Sequence, residues 1–308
     1  MEEKRKISVN SPARGNKTIF FTLLYVLVAG FVFSVIFELV GLDTGSGYVG
    51  ALLYILVLFI PFLFYLLFTR QSHKNVLKWK TPGKRTVILA IILSIAMIPF
   101  LSVVSHLSSL IFHPLIDEYM TEITAYPLWF SLISVAVLPA FIEEFIFRGA
   151  LYKEFERLPI KKVAIITGLF FAIIHLNFHQ AIYAMLLGIV YAYVLFYTQS
   201  IWVPILMHFV NNGIFVVLAY VPVVNGYAET SEMLLSDMIF LGVFSLLMLP
   251  VVIICFKKLK ANAVAPPAYD EEPEHPTGRK PKILTWAFWV TLAIFLLFAI
   301  FIEVERFF

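Results

Sequence analysis

Charge is what this sequence has least of. Only 14% of its 308 residues are charged, with 23 Lys plus Arg against 20 Asp plus Glu, while 61% are hydrophobic and the mean hydropathy is +0.90. Soluble domains carry roughly a quarter charged residues, so the composition excludes a soluble globular enzyme, a disordered chain and a nucleic-acid binder. Cysteine is nearly absent. Cys255 stands alone, which rules out a disulfide framework and a Cys-rich metal site and leaves it as apolar filler in a helix. No glycine-rich nucleotide loop, no His-Glu-x-x-His zinc helix and no repeat of 20–50 residues occurs. The lipid bilayer is the partner this composition demands.

What is present is a series of long apolar runs. A bilayer-crossing helix needs about 20 apolar residues, and such runs fall at Ile19–Val40, Gly47–Phe68, Val87–Phe112, Pro127–Phe147, Ala181–Thr198, Ile201–Val221, Leu234–Phe256 and Ile283–Ile302. A shorter run, Val163–Leu176, brings the count of crossings to nine. Pro99 is expected to kink or tilt the third run. The first run exceeds the apolar core of a signal peptide and reads as a retained span. The fold class is therefore all-α: a polytopic helical bundle of about eight core transmembrane helices plus one C-terminal helix. The chain divides into a cytoplasmic tail (1–18), N-terminal transmembrane helices (19–126), a core (127–256), a Pro- and acid-rich cytoplasmic linker (257–282) and a C-terminal transmembrane helix (283–308).

The few charges set an orientation. Lys4, Arg5, Lys6, Arg14 and Lys17 precede the first span; Arg70, Lys74, Lys78, Lys80, Lys84 and Arg85 follow the second. Arg148, Lys153, Arg157, Lys161 and Lys162 follow the fourth, and Lys257, Lys258, Lys260, Arg279, Lys280 and Lys282 precede the last. On the nine-crossing map every basic residue except Arg306 falls on one side. The opposite loops carry acidic groups such as Asp117, Glu118, Glu122, Glu229, Glu232 and Asp237. The positive-inside rule then puts the N-terminus in the cytoplasm and the C-terminus outside the cell membrane.

Ionisable groups inside a membrane are costly and mark function by default. Glu38, near the outer end of its span, reads as a snorkelling side chain. Glu143 and Glu144 are different, since they sit in LPAFIEEFIFRGALY with apolar residues on both sides. Glu144 and Arg148 are spaced i, i+4 on one helix face, while Glu143 points about 100° away. A structural ion pair accounts for Glu144 and leaves Glu143 unexplained. His175 ends the short run in FFAIIHLNFHQ. His208 and Asn212 share a face in WVPILMHFVNN. Each of these histidines, taken alone, can satisfy a neighbouring carbonyl and do nothing more. Three separate spans supplying Glu143 and Glu144, then His175, then His208 and Asn212, point instead to one buried polar cluster with an acid–base pair and hydrogen-bond donors. His73, His106, His113 and His275 lie away from it.

The same residues carry a resemblance. EEFIFR fits Glu-Glu-x-x-x-Arg at Glu143, Glu144 and Arg148; FAIIH fits Phe-x-x-x-His at Phe171 and His175; HFVNN fits His-x-x-x-Asn at His208 and Asn212. In order, and on hydrophobic segments, these resemble the CPBP family of CAAX proteases and bacteriocin-processing enzymes, also called Abi or Rce1-type intramembrane proteases. The resemblant region runs from about Pro127 to Val221. It implies an intramembrane endopeptidase acting on a protein or peptide substrate in or at the membrane. Glu143 and His175 would activate a water, His208 and Asn212 would donate to the oxyanion, and Glu144 and Arg148 would position the helix, with Glu144 assisting proton transfer. The preferred reading requires no cofactor; the zinc alternative would take Glu143, His175 and His208. Two other functions remain open on the residues alone: a non-catalytic membrane immunity or scaffold protein, and a proton-coupled transporter. Depth sets one tension. Counted from Lys162, His175 lies far beyond the level of Glu143 unless its helix is short, tilted or displaced, with Leu176–Gln180 turning inside the protein.

Overall fold

A computed structural model describes residues 10–114, 121–221, 235–264 and 282–305. The first nine residues, the acidic Asp117, Glu118, Glu229 and Glu232, the proline-rich stretch 265–281 and Arg306 lie outside the described residues. Among the described residues nine helices dominate: α1 (Pro12–Leu39), α2 (Gly47–Thr69), α3 (Lys84–Ser109), α4 (Leu128–Phe155), α5 (Ile160–Ile173), α6 (Phe178–Thr198), α7 (Trp202–Ala219), α8 (Leu235–Ala261) and α9 (Trp286–Glu305). All but α5 are long and apolar enough to cross a membrane. Among the described residues the one β contact is an isolated bridge between Trp79 and Ser200. The chain is a polytopic all-α membrane bundle.

Side-chain contacts sort the helix ends into two faces. On the first, Arg14 at the start of α1 pairs with Glu154 at the end of α4, and Asn16 donates to the carbonyl of Ile283 ahead of α9. Lys78, after α2, reaches Gln199 after α6, and Val264, after α8, bonds back to Tyr197. On the second face, Gly47 at the start of α2 donates to Tyr126 ahead of α4. His179 at the start of α6 meets Ser105 near the end of α3, and the His113 N–H reaches Glu303 at the end of α9. The helices therefore alternate in direction, and the basic residues described in the loops cluster at the first face.

The exposed side chains fit lipid. Ile239, Phe240, Val243, Leu246 and Leu247 of α8 are all largely exposed, an apolar surface that water does not tolerate. α4 is the most enclosed of the eight long helices and α8 the least.

α5 has only 14 residues, about 21 Å at 1.5 Å per residue, against a hydrocarbon core of about 30 Å. It forms a tight hairpin with α6, where glycines let the backbones touch: a Cβ on Gly188 would lie 2.7 Å from the Gly168 Cα. Small residues at crossings serve this purpose in membranes. The hairpin turn follows His175 at once. Leu176 adopts φ +57°, a left-handed conformation uncommon for a branched residue, and Asn177 then caps α6 by accepting the Gln180 N–H at 2.7 Å. The Asn177 amide also donates to the His175 carbonyl at 2.8 Å. The turn the sequence requires is thus present, and it fixes the backbone at His175.

One reading needs correction. The apolar count ends the fourth span at Phe147 and places Arg148 in a loop with the topology-setting charges. Instead α4 runs on to Phe155, and Arg148 is fully buried. Glu144 neutralises it one turn back, so an arginine does not end the span. The longer helix relieves the depth tension: Glu143 lies twelve residues, about 18 Å, inside the Phe155 end, close to the level that α5 gives His175.

Candidate active site

Three helix defects surround the polar residues. Segments Ile55–Phe59, Leu132–Val137 and Phe145–Leu151 are π-helical, a widened form that is rare and concentrated at functional sites. One consequence is legible in the sequence. In an α-helix the Val135 carbonyl would accept the N–H of residue 139, but that residue is Pro139 and has none. The Asn212 amide donates to the Val135 oxygen at 3.0 Å, where no N–H of residue 139 competes. A proline in α4 thereby fixes a side chain on α7.

Glu144 is the buried anchor. It is fully enclosed, and its Oε1 accepts from Arg148 Nη1 at 3.2 Å and from His208 Nδ1 at 2.9 Å. Its Oε2 lies 3.2 Å from Arg148 Nε. Arg148 also donates to the Gly188 carbonyl at 3.0 Å. Its guanidinium lies between two rings, 4.6 Å from the Phe171 centroid and 5.1 Å from that of Tyr191. Cation–π contact of this kind is worth more when desolvated. The Tyr191 hydroxyl accepts from Asn211 at 2.6 Å, so the two consecutive asparagines hold two different helices.

Glu143 faces elsewhere, as the helix geometry requires. Its side chain keeps 12% exposure against none for Glu144. Oε1 accepts from the Tyr54 hydroxyl of α2 at 2.7 Å. Oε2 lies 3.9 Å from His208 Nε2, beyond direct hydrogen-bond range. His208 therefore sits between the two carboxylates, bound to one and facing the other.

His175 binds the last turn of its own helix. Its Nδ1 lies 2.7 Å from the Phe171 carbonyl, which has lost its usual partner because the His175 N–H has shifted to Ala172. Histidine near a helix end commonly captures such a carbonyl. Because a carbonyl only accepts, Nδ1 carries the proton and neutral His175 keeps a lone pair on Nε2. By the same logic the Glu144 contact places a proton on His208 Nδ1, so Nε2 of His208 donates only in the imidazolium form. Phe171 packs edge-on against both rings, at 5.2 Å from His175 and 5.9 Å from His208.

All seven residues singled out in the sequence thus fall in one interior region. Among the described residues no direct hydrogen bond joins Glu143 to His175, and the His208 ring approaches Glu143 to 3.9 Å. Sequence reasoning missed Tyr54, Tyr191, Asn211 and the Gly188 carbonyl. A tyrosine in an apolar run carries no mark of its use, and a carbonyl carries none at all.

The zinc set does not form in this arrangement. Among the described residues no three His, Cys, Asp or Glu side chains gather closely enough to hold a metal ion. Nδ1 of each histidine faces an acceptor, the Phe171 carbonyl for His175 and Glu144 for His208.

No curated protein and no solved structure matches the chain. A family model does: residues 125–214 match the one described as type II CAAX prenyl endopeptidase Rce1-like. The match covers less than a third of the chain, yet it contains all seven of those residues. Over this stretch the chain is similar to CAAX-type peptidases of the Rce1 kind.

Proposed function

We propose that this protein is an intramembrane endopeptidase that hydrolyses a peptide bond of a membrane-associated substrate, with Glu143 as the base that activates water. One observation carries the reading. Of the paired carboxylates, Glu144 is sealed against Arg148 and His208 Nδ1, while Glu143 retains exposure and directs one oxygen towards the free edge of the His208 ring. A carboxylate kept only for stability has no need of that arrangement at membrane depth.

In this reading Glu143 Oε2 takes a proton from water as the water oxygen bonds to the scissile carbonyl carbon. The resulting oxyanion receives hydrogen bonds from His208 Nε2–H, in its imidazolium form, and from the Asn212 N–H that Val135 leaves free. The C–N bond breaks as the departing amine takes a proton, relayed from Glu143 through the His175 Nε2 lone pair. Glu144 and Arg148 hold His208 and the helix in place. The basic face of the bundle is cytoplasmic, with the N-terminus there and the C-terminus outside, and the substrate reaches the site from the bilayer or the cytoplasm.

The test compares membrane proteomes of cells carrying the wild-type chain, Glu143→Ala, His175→Ala or His208→Ala at matched levels of folded protein. Termini that appear only with the wild type support the reading. Equal cleavage by all four overturns it. Activity that persists after exhaustive chelation supports chemistry without an ion, and loss restored by zinc overturns that part.

A further inference from the structure

We propose that Tyr54 is a positioning residue for Glu143, so that the working site extends beyond the family-matched stretch into the second span. The inference rests on the reading of Glu143 as the base. The Tyr54 hydroxyl lies 2.7 Å from Glu143 Oε1, and since an ionised carboxylate only accepts, the hydroxyl donates. A carboxylate on a three-bond side chain turns freely about its last bond. A donor fixed on one oxygen sets the plane of the group and decides which oxygen meets the reacting water. Here Oε1 is occupied by Tyr54, and Oε2 is the one facing His208 Nε2 at 3.9 Å.

Tyr54 is only partly buried against the core, so packing alone does not fix its hydroxyl on Glu143. The stretch Gly47–Tyr54 has no buried residue. It is tied at its outer end by the Gly47 N–H to Tyr126 at 2.5 Å, where a Cβ would sit 2.7 Å from the Tyr126 ring. At its inner end the tie is Tyr54 to Glu143. Directly after Tyr54 the helix widens into the π segment Ile55–Phe59. The tyrosine therefore stands at the last α-helical position before a change in helical register. An outer half-helix with no fully buried residue is held on the core by the Gly47 and Tyr54 hydrogen bonds and by the ring contacts of Tyr48 with Tyr126 and Phe130, and the Tyr54 phenol binds the carboxylate that the reaction needs.

The full-length chain in proteoliposomes, assayed with a quenched fluorogenic farnesylated CAAX peptide, tests this. Tyr54→Phe should lower kcat about 10- to 100-fold, the scale of a lost hydrogen bond to a charged group, with KM within about twofold, as expected for an interaction used in the transition state. Restoring a donor with p-aminophenylalanine at position 54 should recover most of kcat. A purely structural tyrosine would lose folded protein in proportion to activity and would not be rescued by the amine. If Tyr54→Phe keeps kcat within about twofold while Glu143→Ala is inactive, the inference falls and the reading of Glu143 stands. A change in KM alone, or a failure of the amine to rescue, also overturns it. If Glu143→Ala cleaves normally, or the wild type is inert on the peptide, the reading falls and the inference with it.

Discussion

Two pairs of carboxylates lie along α4 and its C-terminal cap, and they are treated in opposite ways. Glu154 and Glu156 lie near the basic end of α4, eleven or more residues beyond Glu143. Glu154 accepts from the Tyr65 hydroxyl at 2.6 Å and the Ser11 N–H at 2.9 Å and pairs with Arg14 at 2.7 Å. Glu156 pairs with Lys78 at 3.2 Å, with Lys153, and with the Asn10 amide at 3.0 Å. The cost of this burial shows on the partner: desolvation pushes the Lys78 ammonium below its ordinary value, although the charge of Glu156 pulls it up. Every contact there closes the first face of the bundle and pins the start of α1. Glu143 and Glu144 share one arginine, one histidine and a tyrosine. Charge saturation makes a clamp. Incomplete saturation by groups that can gain or lose a proton makes a site.

The contrast can be broken by substitution. Arg148→Ala should have the largest effect, because it strands Glu144 in the interior. Breaking a buried pair this way costs about 3–5 kcal/mol, to be read as loss of folded yield and a lower melting temperature in detergent. Glu143→Gln is nearly isosteric and should leave melting within a few degrees while lowering cleavage by about 10²- to 10⁴-fold. Equal losses of stability in these two variants would erase the distinction between anchor and base. Glu154→Ala should do the reverse of Glu143→Gln, destabilising by about 1–3 kcal/mol with cleavage per folded molecule within about twofold. Pro139→Ala sharpens the same division. It supplies an N–H at position 139 that competes with Asn212 for the Val135 carbonyl. Melting should hold or rise while cleavage falls about tenfold, a combination that loss of packing does not produce. Asn177→Ala should have the smallest effect, about 1 kcal/mol for a lost cap, with His175 less well fixed and a matching fall in kcat.

Much of the site is legible in the residues because helical spacing is a local property. The i, i+4 spacing of Glu144 with Arg148 makes the pair, and the 100° offset sends Glu143 to another face; both hold. His175, His208 and Asn212 stand out because polar groups are scarce in apolar runs. The pairings between helices are a different matter. The resemblance implies that Glu143 and His175 act together on a water; the structure adds His208, bound to Glu144 and facing Glu143. Arg148 reads as a loop charge because composition counts an arginine as the end of a span, and only the facing Glu144, Phe171, Tyr191 and Gly188 make it an interior residue. Tyr54 is invisible among the tyrosines of apolar helices until α2 is laid against α4.

By itself the sequence determined the solvent, the helical class, the alternation of spans and the identity of the polar residues, since hydropathy and helical period act within a segment. Its scarcity of charge did most of this, by making each interior charge conspicuous. Tertiary structure alone decided which oxygen faces which ring. Those choices depend on how α2, α4, α5, α6 and α7 cross, and on which carbonyls their prolines, π turns and ends leave open to side chains from another helix.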